Sequence, residues 1–212
     1  DFNYWQFSPE NQYLDRKSAR KKPQELLKHL IAFANADGGQ LIIGIEDEKQ
    51  HNIITGFKDG KAYPIDDFKK IDREMRDTPL DLSFEEIPVI NHKGEDDLIL
   101  LISVELSSNR VIAAPNDEVY LRQGDESVKL SYEQRIQLSY DKGQRFFEDE
   151  IIEDATLDDI DELLVQDFKD HFDISERSTE EILKARRFLI NGKLTKAAIL
   201  IFGKYPSAFF PQ

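Results

Sequence analysis

The sequence predicts an α+β fold, in which a mixed sheet is flanked by helices and is followed by a small helical C-terminal segment. Three observations support this prediction. Residues 23–37 carry apolar side chains at helical spacing, residues 40–46 form an almost unbroken apolar strand, and residues 82–90 and 97–106 are two longer strand-like runs. With 212 residues, of which 40% are hydrophobic, the chain is long enough to bury a substantial core.

The first long helix is predicted from its ends as well as from its spacing. Pro23 suits a first helical position, and Gly38 suits the left-handed residue that ends a helix. The strand at 40–46 follows, and its continuous apolar character predicts burial on both faces. Residues 52–57 are predicted to pair with this strand as a hairpin, and residues 65–76 to form a second helix.

A short strand and a capped helix complete this part of the chain. Residues 118–124 have the composition of a strand that ends at a glycine. Ser131 and Gln134 have the spacing of a capping box, which predicts a helix over residues 131–140.

The composition changes after residue 140, and this change predicts two regions. Residues 1–140 are predicted to be one α+β domain, and residues 141–212 an acidic helical connector that leads into a C-terminal region. In the connector, helices are predicted from about Leu157 and over residues 178–190, where Ser178 and Glu181 form a second capping box.

Charge is distributed unevenly along the chain. The net charge is −14, yet residues 141–183 hold 16 acids and 4 bases, a net of −12, so the remainder carries only −2. Within that remainder, residues 16–22 hold five bases in seven positions. Such a basic run either contacts phosphates or is a solvated, mobile linker. The first interpretation assigns nucleic-acid contacts to Lys17, Arg20, Lys21 and Lys22.

Several classes of protein are disfavoured by what the sequence lacks. It has no cysteine, which excludes disulfides and zinc–thiolate sites and fits a cytoplasmic protein. It has no apolar run of about 18 residues and no signal-peptide pattern at its start, so no membrane partner is expected. The four histidines have no paired metal-binding spacing, and neither a phosphate-binding loop motif nor a serine-hydrolase motif occurs.

Four motifs resemble the Schlafen AlbA-type family. They are "ENQYLDRKSA", "IAFANADGGQLIIGIEDE", "VYLRQG" and "KLTKAAILIFGKYPSAFFP", in this order. The resemblance implies an Alba-like α+β core and nucleic-acid binding, with metal-dependent RNA cleavage in some animal members. It also implies a bacterial transcriptional regulator whose C-terminal region binds ATP in many relatives. Since this chain ends where that region would begin, the sequence is expected to be an N-terminal fragment, and ATP is expected only if the following region binds it.

The resemblance further implies a metal and catalytic site. Glu10 and Asp15 have the spacing of two family acids, and the third falls on Glu46 or its neighbour Asp47. Three carboxylates suit Mg²⁺ or Mn²⁺, and either metal could activate a water for hydrolysis. The chain departs from the family pattern, because Asp15 and Arg16 stand where glutamate and phenylalanine are usual, and Glu46 replaces an aspartate. The alternative is that these are surface acids at a helix start and a hairpin turn.

Three further features have a binding and a structural interpretation. Gly38 and Gly39 either let backbone N–H groups approach a phosphate or only form a helix-to-strand corner. Arg122 either contacts a phosphate or pairs with a buried acid. Trp5, near the chain start, either stacks on bases or is a hydrophobic anchor.

We therefore predict a nucleic-acid-binding domain of a bacterial transcriptional regulator, which contacts DNA or RNA through the basic run and the glycine corner. The alternative function is a metal-dependent endonuclease that uses the Glu10, Asp15 and Glu46 carboxylates. A third interpretation is a sensor or homodimerisation platform for an ATP-binding region.

Overall fold

The chain forms two compact units, Asp1–Lys142 and Gly143–Gln212. The computed structural model describes residues 2–46, 52–58, 60–73, 75, 79–174 and 176–210. None of the helices among these residues has the length and apolar character needed to cross a membrane.

The first unit contains four helices and six strands within the described residues. The helices are α1 (Phe2–Phe7), α2 (Pro23–Asn35), α3 (Ile65–Phe68) and α4 (Tyr132–Asp141). The strands are β1 (Leu14–Lys17), β2 (Gly39–Ile43), β3 (Leu82–Ile90), β4 (Asp96–Val104), β5 (Tyr120–Gln123) and β6 (Glu126–Lys129).

Four of these strands form the central sheet, in the order β1–β2–β4–β3. β1 runs parallel to β2, with Asp15 opposite Leu41, whereas the β2–β4 and β4–β3 pairs are antiparallel. The sheet is therefore mixed and is flanked by helices, and the predicted α+β fold class is confirmed. β5 and β6 form a separate hairpin.

The central sheet is buried on both faces. Because side chains alternate along a strand, Leu41 and Ile43 of β2 pack with α2, whereas Ile42 packs on the opposite face beside Leu14. Trp5 of α1 packs against that second face, which agrees with its interpretation as a hydrophobic anchor. β2 is thus covered on both sides, as its unbroken apolar run predicts.

Arg16 fastens α1 to β1. Its side chain is fully buried, Nε donates to the carbonyl of Trp5 at 2.6 Å, and Nη2 donates to the carbonyl of Ser8. These carbonyls lie at the C-terminal end of α1, where a cation is favoured by the helix dipole. Backbone oxygens therefore satisfy Nε and Nη2 of the guanidinium, whereas the buried Nη1 has no hydrogen-bond partner among the described residues.

Some elements differ from the sequence predictions. β1 was not predicted, because its residues Leu-Asp-Arg-Lys have no strand-like apolar pattern. The predicted helix at 65–76 is only α3, which is followed by turns, and residues 74 and 76–78 lie outside the described part. The predicted hairpin at 52–57 contributes a single isolated bridge, between Ile45 and Ile54.

The second unit has its own hydrophobic core. Its helices are α5 (Glu162–His171), α6 (Thr179–Ala185) and α7 (Lys196–Phe202), with a short hairpin of β7 (Leu189–Ile190) and β8 (Lys193–Leu194). The capping box of Ser178 and Glu181 is present at the start of α6, but the helix ends at Ala185, so the predicted helix over 178–190 was too long. The helical C-terminal part of the fold is confirmed, whereas its relation to an ATP-binding region stays a prediction.

Candidate functional site

Asp15 is the centre of a buried cluster of charged side chains between the sheet and α2. Its side chain is 1% exposed. Oδ2 accepts from Arg122 Nη1 at 2.8 Å and lies 3.1 Å from His29 Nδ1, while Oδ1 pairs with Lys17 Nζ. Ser127 Oγ lies 3.0 Å from the same His29 nitrogen. Both carboxylate oxygens of Asp15 are therefore already in contact with charged or polar partners.

Arg122, on β5, is the structural partner of this carboxylate. It is 2% exposed, Nε donates to the carbonyl of Asn11 at 3.1 Å, and Nη2 donates to the carbonyls of Asn11 and Leu14 at 2.9 and 3.2 Å. Its guanidinium lies 4.8 Å from the ring centre of Phe33. This arrangement fits the structural interpretation of Arg122. To contact a phosphate, the guanidinium would have to leave all these partners.

The environment of the cluster shifts the pKa values of Asp15, His29 and Glu10. Burial by itself would raise the pKa of Asp15, but the hydrogen bond with His29 and the charge of Lys17 outweigh it and hold that pKa well below its usual range. Burial lowers the pKa of His29, and the nearby Asp15 carboxylate offsets only part of this effect. Asp15 is therefore ionised and His29 neutral at pH 7. Burial, followed by the charge of Asp15, raises the pKa of Glu10.

The three acids assigned to a metal have other partners. Glu10 Oε1 accepts from the backbone N–H of Arg16 at 3.0 Å. Glu46, just beyond β2, is buried, and its Oε1 accepts from Ser18 Oγ at 2.8 Å and from Thr55 Oγ1 at 3.0 Å.

Among the residues that the structure describes, no group of three or more histidine, aspartate or glutamate side chains is spaced to hold a metal ion. In this arrangement Glu10, Asp15 and Glu46 do not fit a resident Mg²⁺ or Mn²⁺, because Asp15 is committed to three cationic or imidazole nitrogens. Asp47 lies outside the described residues. The metal and catalytic assignment stays a prediction.

The glycine corner is explained by packing. Gly38 has a φ of +77°, and a Cβ there would lie 2.7 Å from the carbonyl oxygen of Val104. Its N–H donates to the carbonyl of Phe33 at 2.9 Å and so ends α2. A Cβ on Gly39 would lie 2.4 Å from the Phe33 ring. Phosphate binding by this corner stays a prediction, since the structural interpretation accounts for both glycines.

The basic run divides into a buried part and an exposed part. Lys17 belongs to β1 and pairs with Asp15, and Ala19 is buried, so the run is more than a solvated linker. Arg20, Lys21 and Lys22 are exposed immediately before α2, and Lys22 gives that helix no side-chain cap. The exposed part places three cations beside an uncapped helix start.

A groove that the sequence did not reveal adjoins these cations. We call it the α2 groove; it has a volume of about 1020 Å³, and Pro23 and Gln24 at the start of α2 line it. Tyr63 also lines the groove, and its backbone N–H donates to the carbonyl of Ala19 in the basic run at 2.9 Å. Its lining includes apolar, aromatic and basic side chains, among them Leu27, Lys28, Tyr63, Lys70, Ile71 and Arg73, together with the acids Glu25, Asp67 and Glu118.

The sequence model of the Schlafen AlbA_2 family matches residues 10–131, which is more than half of the chain. The chain therefore belongs to this family, as its motifs indicated, and the membership supports a nucleic-acid-related function. No curated protein matches the sequence.

One solved structure that is similar to the chain is the crystal structure of the DIP2311 protein from Corynebacterium diphtheriae. The two are 23% identical with a TM-score of 0.43, and the match covers 91% of this chain and 41% of that one. The chain thus spans less than half the length of this protein.

Proposed function

We propose that the first unit binds nucleic acid through the exposed cations that precede α2. The observation that carries this proposal is the grouping of Arg20, Lys21 and Lys22 on the surface of a chain whose net charge is −14. Membership of the Schlafen AlbA_2 family supports the same class of ligand. Lys17 and Arg122 form ion pairs with Asp15, and the proposal therefore assigns them no contact with phosphates.

The start of α2 adds to the attraction for phosphate. Cations are unfavourable beside the positive end of a helix dipole, and Lys22 supplies no capping acceptor. A phosphate placed there neutralises the lysines and interacts favourably with the helix end at the same time. Glu25 is the acid in the first turn of α2, so the three preceding cations outnumber it and leave a positive balance that an anionic ligand can neutralise.

Fluorescence anisotropy with labelled DNA and RNA tests the proposal. Replacing Lys21 and Lys22 by alanine together should weaken binding about tenfold near 100 mM salt and reduce the slope of log affinity against log salt by about two, since each phosphate contact contributes roughly one. Lys93→Ala, in the exposed β3–β4 turn, is the control that removes one positive charge outside this surface. Unchanged affinity and slope in the double variant would refute the assignment of this surface.

A metal-dependent nuclease is the second candidate. It is favoured by one observation: Glu10 Oε1 accepts from the backbone N–H of Arg16 at 3.0 Å, which brings its carboxylate to the residue that follows Asp15. The test is incubation of single-stranded DNA and structured RNA with Mn²⁺ or EDTA, beside Glu10→Gln, which spares the buried Arg122 pair. Mn²⁺-dependent cleavage that the variant loses would establish the nuclease, whereas binding without cleavage would remove it.

The finer parts of the proposal concern the whole protein. We propose a cytoplasmic bacterial transcriptional regulator, in which ATP is bound only if a region beyond this chain binds it. A homodimer is proposed as its assembly. ATP titration of the longer protein and sedimentation of this chain test the two points separately.

A further inference from the structure

The α2 groove combines the exposed outer side of a helix with an apolar floor. Leu27 and Ala114 are half-buried and Ile71 is buried, and all three belong to or pack against the core of the first unit. The half-buried rings of Tyr63 and Tyr120 complete the lining. A concave apolar surface of this kind can cover one face of a flat ring system.

Cations surround this floor. Lys28, Lys70 and Arg73 are exposed, and none of them forms an ion pair with another residue that the structure describes. Each of the three is therefore available to form an ion pair with an anionic group of a ligand.

The groove also contains the acids Glu25, Asp67 and Glu118. Glu118 is already paired with Lys129 and accepts from the Tyr120 hydroxyl at 2.7 Å. The three unpaired cations are thus opposed by two carboxylates, and the exposed part of the basic run lies directly beside the groove. With the paired Glu118 set aside, the lining of the groove has one more basic than acidic side chain, although the chain as a whole is strongly acidic.

This combination distinguishes between the forms of nucleic acid. In a duplex the faces of the bases are stacked inside, so only phosphates and base edges reach a protein surface. In a single strand the bases can turn outward and stack on apolar or aromatic groups while cations contact the backbone. The floor of the groove would be unused by a duplex, and its volume of about 1020 Å³ is large enough for more than one nucleotide.

We infer that the α2 groove binds unpaired nucleotides, so that the preferred ligand of this domain is single-stranded nucleic acid. The inference rests on the proposed function and makes its ligand specific. Lys28, Lys70 and Arg73 contact phosphates, and Tyr63 stacks on a base. Lys21 and Lys22, outside the groove, continue the phosphate path.

The experiment compares a labelled oligothymidylate, an oligouridylate and a duplex of equal length by anisotropy with the full chain. The single strands should bind at least about tenfold more tightly than the duplex. Replacing Lys70 and Arg73 by alanine should weaken single-strand binding about tenfold and leave duplex binding within about twofold. Tyr63→Leu, which keeps an apolar side chain at the core, should weaken single-strand binding roughly fivefold or more through lost stacking.

The outcomes separate the two proposals, with Lys93→Ala again as the control for charge. If single strand and duplex bind equally and only the Lys21 and Lys22 variant weakens both, the groove inference is overturned and the proposed function stands. If the duplex binds better, the inference is also overturned. If no oligonucleotide binds in a salt-dependent way, both fail. Preference between the DNA and RNA strands shows which of them the groove accepts.

Discussion

Replacing Asp15 by asparagine should destabilise the first unit, because it leaves the Arg122 guanidinium charged and buried without a counter-ion. Truncating one member of a buried ion pair costs about 3–5 kcal/mol. Arg122 keeps three hydrogen bonds to the carbonyls of Asn11 and Leu14, which satisfy part of its charge. Lys17 is 15% exposed and can turn toward water, so it adds little. These two facts favour the lower end of the range, about 3 kcal/mol.

Urea unfolding followed by circular dichroism measures this loss of stability. Two further variants serve as a comparison and as a rescue. Lys69→Ala removes the partly exposed pair with Glu86 and should cost less than about 1 kcal/mol. Asp15→Leu combined with Arg122→Met should recover most of the loss, since an apolar pair can replace a buried ion pair at little cost.

A loss for Asp15→Asn that is no larger than that of Lys69→Ala would refute this reasoning. It would show that the carboxylate is not committed to Arg122, and would return it to the metal-ligand hypothesis. A double variant as unstable as the sum of its single changes would likewise contradict the pairing.

Three more predictions follow from the structure. Burial would raise the pKa of Asp97, but hydrogen bonds from Leu98, Asn91 and two further backbone N–H groups hold that pKa below its usual value. The contribution of Asp97 to the free energy of unfolding should therefore be lost as the pH falls below about 4. Asp97→Asn should remove this pH dependence in acid titrations of unfolding. Gly39→Ala should cost about 1–3 kcal/mol in urea unfolding through its clash with the Phe33 ring, and an unchanged midpoint would contradict the packing explanation of the corner. Ending the chain after Lys142 removes 15 acids and 9 bases, a net of −6, and should tighten oligonucleotide binding if the acidic part competes with phosphates; equal affinity would exclude that competition.

Much of the fold could be predicted because its signals are local. The apolar spacing of α2, the continuous apolar run of β2 and the capping box at Ser131 each depend on residues within one or two turns of the chain. Each of these elements appears in the structure, although β2 ends at Ile43 and not at residue 46 as predicted. The length of α3 was overestimated because its apolar spacing continues into turns. There the buried Ile71 and Met75 donate to the carbonyls of Phe68 and Asp72, three residues back, in place of the i→i−4 bonds of an α-helix.

The candidate site could be predicted only in part. The sequence indicated which acids and bases to consider, including Asp15 and Arg122, and left open whether the arginine was structural. It did not indicate the α2 groove, since Lys28, Tyr63 and Lys70 come from separated segments and have no shared motif. Exposed cations on different elements are recognisable as one surface only after the chain has folded.

The sequence by itself determined the family, the α+β class and the exposed cations before α2, because these depend on composition, short motifs and periodicity. The tertiary structure decided the role of the charged stretch Leu14–Lys17, which is a buried parallel strand. The physical reason is distance along the chain: Asp15 is stabilised by Arg122, which is 107 residues away. Charged residues can occupy a strand in the interior when distant partners neutralise them, and only the folded structure brings those partners together.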